Sequence, residues 1–287
     1  MRSFFRYSFL LSILVFFNRC EKVISLNIDN EAQQVVIEGV ITDDGTCRVR
    51  LSQSGNFADT LNLKGLDGAV VTISEEHNTP VKLNPTNFSG IYTTKFSGRP
   101  GYTYHLKVEV PVSVINKDGS TAIEQKTFTA SSTMPAKVHL DSLFVTERFF
   151  LGETRLIASI RYNDPPTLGN TYRFVQYVDG RPESALFLTK DDLINGRSVV
   201  DELLIFNDEY TLRKCDQLRV ELQCIDPAVY LFWYSLSQNA LGSSQSGSPG
   251  NPAGNIVGGA LGYFSAYTVS AQNIAVFPDG SCSLPAD

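Results

Sequence analysis

Cys20 is the residue whose surroundings most constrain its chemistry in this 287-residue chain. Arg2 and Arg6 precede an apolar run at residues 9–17 (FLLSILVFF). A helix needs about 20 apolar residues to span a bilayer, so this run reads as a secretory h-region rather than a membrane span. A cysteine just beyond such a region, followed here by Glu21 and Lys22, is where a bacterial lipoprotein is cut and acylated. A thioether-linked diacylglycerol plus an N-acyl chain exceeds the two hydrophobic signals that stable anchoring requires. Asn18 and Arg19 depart from the small residues that normally precede that cysteine. The alternative is a plain secretory signal cut elsewhere, but no Ala-x-Ala-like site lies nearby.

Other chemistry is harder to assemble. Nucleophilic hydrolysis needs a serine or cysteine activated by a base. The run Gly242-Ser243-Ser244-Gln245-Ser246-Gly247 misses the Gly-x-Ser-x-Gly elbow, and His77, His105 and His139 are scattered singly. Glycosidase chemistry needs two carboxyl groups roughly 5–10 Å apart. Asp191-Asp192, Asp201-Glu202 and Asp208-Glu209 offer acid pairs by composition alone, in contexts typical of solvated loops. They do not form the Asp-x-Asp-x-Asp-Gly loop of an EF-hand. Gly258-Gly259-Ala260-Leu261-Gly262 lacks a P-loop lysine and is followed by β-type residues. Glycines there mark a corner or a close backbone approach instead. No catalytic residue, metal or cofactor is expected.

Besides Cys20 the chain has Cys47, Cys215, Cys224 and Cys282. In an exported protein this count allows two disulfides, and Cys215 with Cys224 is the most local candidate pair. Unpaired buried thiols are the alternative. Structural zinc would need closely spaced ligands, which are missing.

Aromatic residues carry the remaining interest. Tyr230, Phe232, Trp233 and Tyr234 lie near Tyr263, Phe264 and Tyr267 across one loop. A helix apolar on every side is buried or faces a partner. Most of these rings are expected in the core. Tyr230, Trp233, Tyr234, Tyr263, Phe264 and Tyr267 are the candidates for a binding surface, aromatics being frequent anchors of contacts.

The elements that must position these residues are nearly all strands. Residues 1–19 form the signal segment, and 20–34 a polar tether of at most ~45 Å when extended. Residues 35–42 (VVIEGVIT), an Asp43-Asp44-Gly45 turn and residues 46–52 make a hairpin signature. Further strands are expected at 68–74, 80–83, 90–96, 102–110 and 125–132, a spacing that suggests a sandwich. Met134-Pro135 breaks the pattern, giving an N-terminal β-sandwich domain at 35–133 and a C-terminal β-rich domain at 134–287. The second half resumes with strands at 137–147, 154–162, 171–178 and 217–225, and a final β region at 256–277. Asp226-Pro227 supplies an N-cap and a first-turn proline. One helix follows at 228–241, with Val229, Trp233, Leu236 and Ala240 on one face. The fold class is therefore all-β: two sandwich-like domains with one helix.

The ordered set Cys20–Ile24 (CEKVI), 35–39 (VVIEG), 67–73 (DGAVVTI), Gly90-Ile91-Tyr92, 100–106 (PGYTYHL) and 255–266 (NIVGGALGYFSA) resembles one family. It is similar to the Bacteroidota outer-membrane lipoproteins grouped as a domain of unknown function. That resemblance covers essentially the whole mature chain. It implies an envelope lipoprotein often encoded beside TonB-dependent receptors, and it assigns no activity or catalytic residues. The first half separately resembles transthyretin-like and carboxypeptidase-regulatory-like β-sandwiches, which implies a scaffold rather than a chemistry.

Losing Arg2, Arg6 and Arg19 with the signal would take the net charge from −6 to near −9, which argues against nucleic acid as a partner. Asp59-Thr60-Leu61 and Asp141-Ser142-Leu143 look like the short O-glycosylation acceptor pattern of Bacteroidota. The resulting expectation is a non-enzymatic accessory protein anchored to outer-membrane lipid through Cys20. Its partners would be a TonB-dependent receptor and a glycan or peptide ligand. The alternatives are a surface glycan hydrolase using an acid pair within 191–209, and an adhesion or structural envelope protein.

Overall fold

The computed structural model of the chain describes residues 34–55, 64–115, 120–150, 152–205, 212–240 and 251–276. The signal segment, Cys20 and the tether to residue 33, Asp59-Thr60-Leu61, Asp208-Glu209, the 242–247 run and Cys282 lie outside the described residues. The first strands are β1 (Val35–Thr42), β2 (Cys47–Gln53), β3 (Val70–Glu75), β4 (Val81–Lys82), β5 (Asn84–Pro85) and β6 (Ile91–Thr93). Two long ones follow, β7 (Thr103–Ile115) and β8 (Thr121–Thr133), and then β9 (Leu140–Phe150) and β10 (Glu153–Asn163). The second half continues with β11 (Thr171–Val178), β12 (Arg181–Pro182), β13 (Phe187–Lys190), a 3₁₀ turn at Asp191–Leu193, β14 (Ser198–Leu203) and β15 (Gln217–Cys224). Helix α1 (Pro227–Ala240), β16 (Ile256–Val257) and β17 (Leu261–Ala275) complete it.

These strands make three sheets. The largest has nine strands in the order β12-β11-β15-β17-β1-β2-β6-β5, with β13 also paired to β11. A five-stranded sheet runs β16-β8-β7-β3-β4, and a three-stranded one runs β14-β10-β9. The all-β, sandwich-like class follows from this arrangement. One buried cluster unites Ile37, Val49, Leu51, Val71, Leu106, Val108, Phe128 and Phe264. Another unites Leu143, Ala158, Ile160, Tyr162, Tyr172, Phe174, Val220 and Leu222. Strand alternation sends these residues inward and their neighbours to the opposite face.

The boundary expected near residue 134 falls between these two cores, but not between two separable domains. Gln33–Asp287 is a single contact unit. The cause is β17. Its first part, from Leu261 to Tyr267, pairs parallel with β1. Its second part, from Thr268 to Ala275, pairs antiparallel with β15. One strand therefore serves both halves. The joint is also hydrogen-bonded. Asp43 accepts from Val269 N–H and Lys137 Nζ, each at 2.9 Å. Ser132 Oγ accepts from Ala266 N–H at 3.0 Å, and Leu140 N–H donates to Ser270 Oγ at 3.0 Å.

The glycine run before β17 turns the corner that its composition suggested. β16 pairs with β8 in the five-stranded sheet, whereas β17 lies in the nine-stranded one. At Gly262 the backbone adopts φ +102°, and an added Cβ would lie 2.0 Å from Ile37 O. No other residue type fits there.

Asp226 caps α1 by accepting from Ala228 N–H at 2.8 Å, and its other carboxylate oxygen accepts from Thr133 N–H at 2.9 Å. The cap thus ties the helix to the end of β8. The buried stripe is Val229 and Phe232, with Trp233 half-buried. Leu236, expected on that stripe, is 36% exposed. Positions 229, 232 and 233 form the i, i+3, i+4 set that meets the sheet.

The local disulfide does not form. Cys224 is a free, buried thiol whose sulfur accepts from Val138 N–H at 3.3 Å. Cys215 is disulfide-bonded, but not to Cys224. Between them runs the expected strand, β15, eight residues long. At about 3.3 Å per residue it separates the two by roughly 25 Å, against the ~7 Å limit for a disulfide. Cys47 is likewise free, and burial pushes its thiol up to about 12.

Candidate functional site

The outward face of the nine-stranded sheet differs from a plain solvated face where α1 lies on it. Alternation along β11 puts Arg173, Val175 and Tyr177 outward, and β15 adds Arg219, Glu221 and Gln223. β17 contributes Tyr263, Ser265 and Tyr267 to the same face, beside Glu38 and Val40 of β1. Helix α1 packs over β11, β13 and β17.

Two aromatic groups result. Phe232 and Trp233 meet edge to face at 5.4 Å, and Tyr263 packs 4.9 Å from Phe232 and 5.0 Å from Trp233. Tyr230 and Tyr234, one helical turn apart, stack at 6.1 Å. Tyr234 is 47% exposed. Phe264 belongs to neither group. It is fully buried in the first core with Ala266, because it occupies the inward phase of β17 between Tyr263 and Ser265. Its candidacy as a binding residue is therefore withdrawn. Tyr263 and Tyr267, in the outward phase, stay half-buried on the candidate face.

A polar ladder runs beside the rings. The Arg173 guanidinium lies 4.0 Å over the Trp233 ring. Arg173 Nη1 donates to Gln223 Oε1 at 3.1 Å, and Gln223 Nε2 donates to Glu221 Oε2 at 3.0 Å. Glu221 also accepts from Arg219 Nη2 at 2.9 Å. Burial lowers the Arg173 pKa from its ordinary range, while the surrounding tyrosines and Glu221 oppose that effect. Burial raises Tyr263 and Tyr267, and it raises Tyr177 together with the adjacent Glu221. All three phenols therefore stay neutral near pH 7 and can donate hydrogen bonds. Arg173, Arg219, Glu221 and Gln223 were not singled out among the sequence candidates. The signal was present: the strict alternation of QLRVELQC assigns its polar residues to a single face.

This arrangement can bind, by stacking and by planar hydrogen bonding, at one patch of sheet. Aromatic rings with an arginine at their centre are typical of contact hot spots. The acid pairs are differently placed. Asp191 is fully buried and accepts from Asn170 N–H at 2.9 Å. Asp192 pairs with Lys190 at 3.1 Å. Asp201 Oδ1 accepts from Glu202 N–H at 2.9 Å, and Glu202 forms a bidentate pair with Arg148. Each of these described carboxylates has its own local partner. No group of three or more His, Cys, Asp or Glu side chains converges among the described residues.

A family model described as "Domain of unknown function (DUF4249)" matches residues 21–273. The chain belongs to that family. No curated protein matches it significantly.

Proposed function

We propose that this DUF4249 member is a lipid-anchored accessory protein of the bacterial cell envelope. It is held at the outer membrane through acylated Cys20 and acts by binding rather than by catalysis. In this reading a TonB-dependent transporter is its partner, and a glycan or peptide is the ligand presented to it. The anchor rests on the basic n-region, the nine-residue apolar core and Cys20. Among the described residues no helix is long and apolar enough to cross a membrane.

The single observation that carries the binding role is Arg173 stacked on Trp233 beside Tyr263, on a sheet face where alternation calls for ordinary solvated residues. Such a departure from pattern is where functional sites concentrate. Two measurements test the proposal. Mass spectrometry of the mature N-terminus should find a thioether-linked diacylglycerol on residue 20. Extraction in mild detergent should co-purify a β-barrel transporter with the tagged chain, and Trp233→Ala should lose it. A monomer with a free thiol at residue 20 overturns the reading.

A further inference from the structure

The chain has five cysteines, and the structure fixes the state of three. Cys47 and Cys224 are free, buried thiols, whereas Cys215 is disulfide-bonded. Its partner is therefore Cys20 or Cys282, both outside the described residues. Cys215 itself is exposed, in the turn that precedes β15. Its φ of +77° is a left-handed conformation that a non-glycine residue keeps only when its surroundings impose it. Two hydrogen bonds fasten that turn to the end of β17. Cys215 N–H donates to Val276 O at 2.7 Å, and Val276 N–H donates to Asp216 O at 2.9 Å.

We propose that Cys215 pairs with Cys282, making the C-terminal segment a covalent strap at the end of the nine-stranded sheet. Cys282 follows Val276 by six residues, a reach of up to ~20 Å, and Val276 is already bonded to Cys215. Between them Phe277-Pro278-Asp279-Gly280 has the proline and glycine positions of a type I turn, which sends the chain back toward Val276. A return of that kind is what the ~7 Å limit on a disulfide requires. Cys20 starts from the far end. Gln34 is bonded to Ser54 beside the first residues of β1, and Val36 faces Leu261. From there β17 runs 15 residues toward Cys215, about 50 Å at ~3.3 Å each. The tether from Cys20 to Gln34 spans at most ~45 Å, so it arrives only when pulled straight along the whole strand. Ordering every tether residue in that way is entropically costly.

Closure takes two electrons and two protons from the thiols of Cys215 and Cys282. An exchanging disulfide of the cell envelope accepts them and becomes a dithiol. An exposed disulfide lasts only outside the reducing cytosol, so the strap closes after export. It fixes Gln217 opposite Ala275, the last register of the β15–β17 ladder, and steadies the strand that carries Arg219, Glu221 and Gln223. Cys20 is left as the cysteine open to acylation, since one sulfur cannot hold both a thioether and a disulfide.

The full chain, exported into an oxidising envelope, is denatured in iodoacetamide without reductant, digested and mapped by mass spectrometry. The expected map joins the Cys215 and Cys282 peptides and finds Cys47 and Cys224 alkylated. A Cys20–Cys215 link, or an alkylated Cys215, overturns the strap. The same map reads Cys20 separately. A Cys215–Cys282 link beside an unacylated Cys20 supports the strap and sinks the anchor, whereas a Cys20–Cys215 link sinks both. Thermal unfolding gives an independent reading. Cys282→Ser should lower Tm by about 5–15 °C, and reductant should bring the parent down to the variant while leaving the variant unmoved. Equal melting of parent and variant, with and without reductant, would show that the segment straps nothing and overturn the proposal.

Discussion

The two ends of the nine-stranded sheet share a strand yet treat their outward faces in opposite ways. At the β1–β2 end, outward positions hold Glu38 and Arg50, a solvated pair at 3.6 Å. This is an ordinary scaffold surface, where such pairs contribute little. At the β11–β15 end the same phase of the pleat holds Arg173, Tyr177, Glu221 and Gln223, partly roofed by α1. The inward phase is apolar in both halves. Folding alone therefore needs only the inner pattern. The roofed outer face, with its stacked guanidinium and neutral phenols, is extra structure present at one end only.

The largest test of the comparison asks whether the halves are really one body. Phe264→Ala removes a fully buried ring from the first core and should cost about 3–5 kcal/mol. Because β17 serves both cores, denaturant unfolding should remain a single transition, moved to lower concentration for probes in either half. Two resolved transitions would break the comparison. Trp233→Ala should cost about 1–3 kcal/mol by stripping the roof from Arg173 and Tyr263. A substitution on the other outward end, Arg50→Ala, should change stability by under about 0.5 kcal/mol. Equal effects at the two positions would erase the difference between the faces. Asp226→Ala removes both the helix cap and the bond to Thr133, and should cost about 1–2 kcal/mol in urea melts.

Acid should act on both halves alike. Hydrogen bonds from Arg99 hold the Glu75 carboxyl below its usual 4.5 in the first half. Arg148 does the same for Glu202 in the second. A lowered folded value stabilises above the ordinary glutamate range, and the gain vanishes as pH falls through that lowered value. The stability gap between parent and Arg99→Gln, or parent and Arg148→Gln, should therefore narrow as pH drops from 6 toward 3. A gap independent of pH would show that neither pair is linked to protonation.

Local periodicity made most of this fold legible. The first hairpin, β11, β15 and the capped helix lie where alternation, Asp-Gly turns and Asp226-Pro227 placed them. Short-range signals failed where pairing is distant. β13 and β14 have no clean alternation, since β13 is held by β11 and β14 by β10. The Cys215–Cys224 pairing rested on closeness in sequence, which the extended strand between them undoes. The aromatic patch was visible as a cluster in sequence, but its membership was not. One residue of phase along β17 separates Tyr263 on the face from Phe264 in the core. The arginine at the centre of the patch arrives from β11, about 60 residues away from the helix, which no window of sequence could reveal.

Shared use of β17 also joins the two most distant parts of the described chain. Val36 meets Leu261 across the parallel pairing, and closing so long a loop is slow. Until those last strand residues arrive, β1 and β15 each carry an open edge on the side that β17 will occupy. Open edges invite pairing with other chains. β17 is thus the one strand whose pairing covers an edge in both halves at once, with β1 on one stretch and β15 on the next.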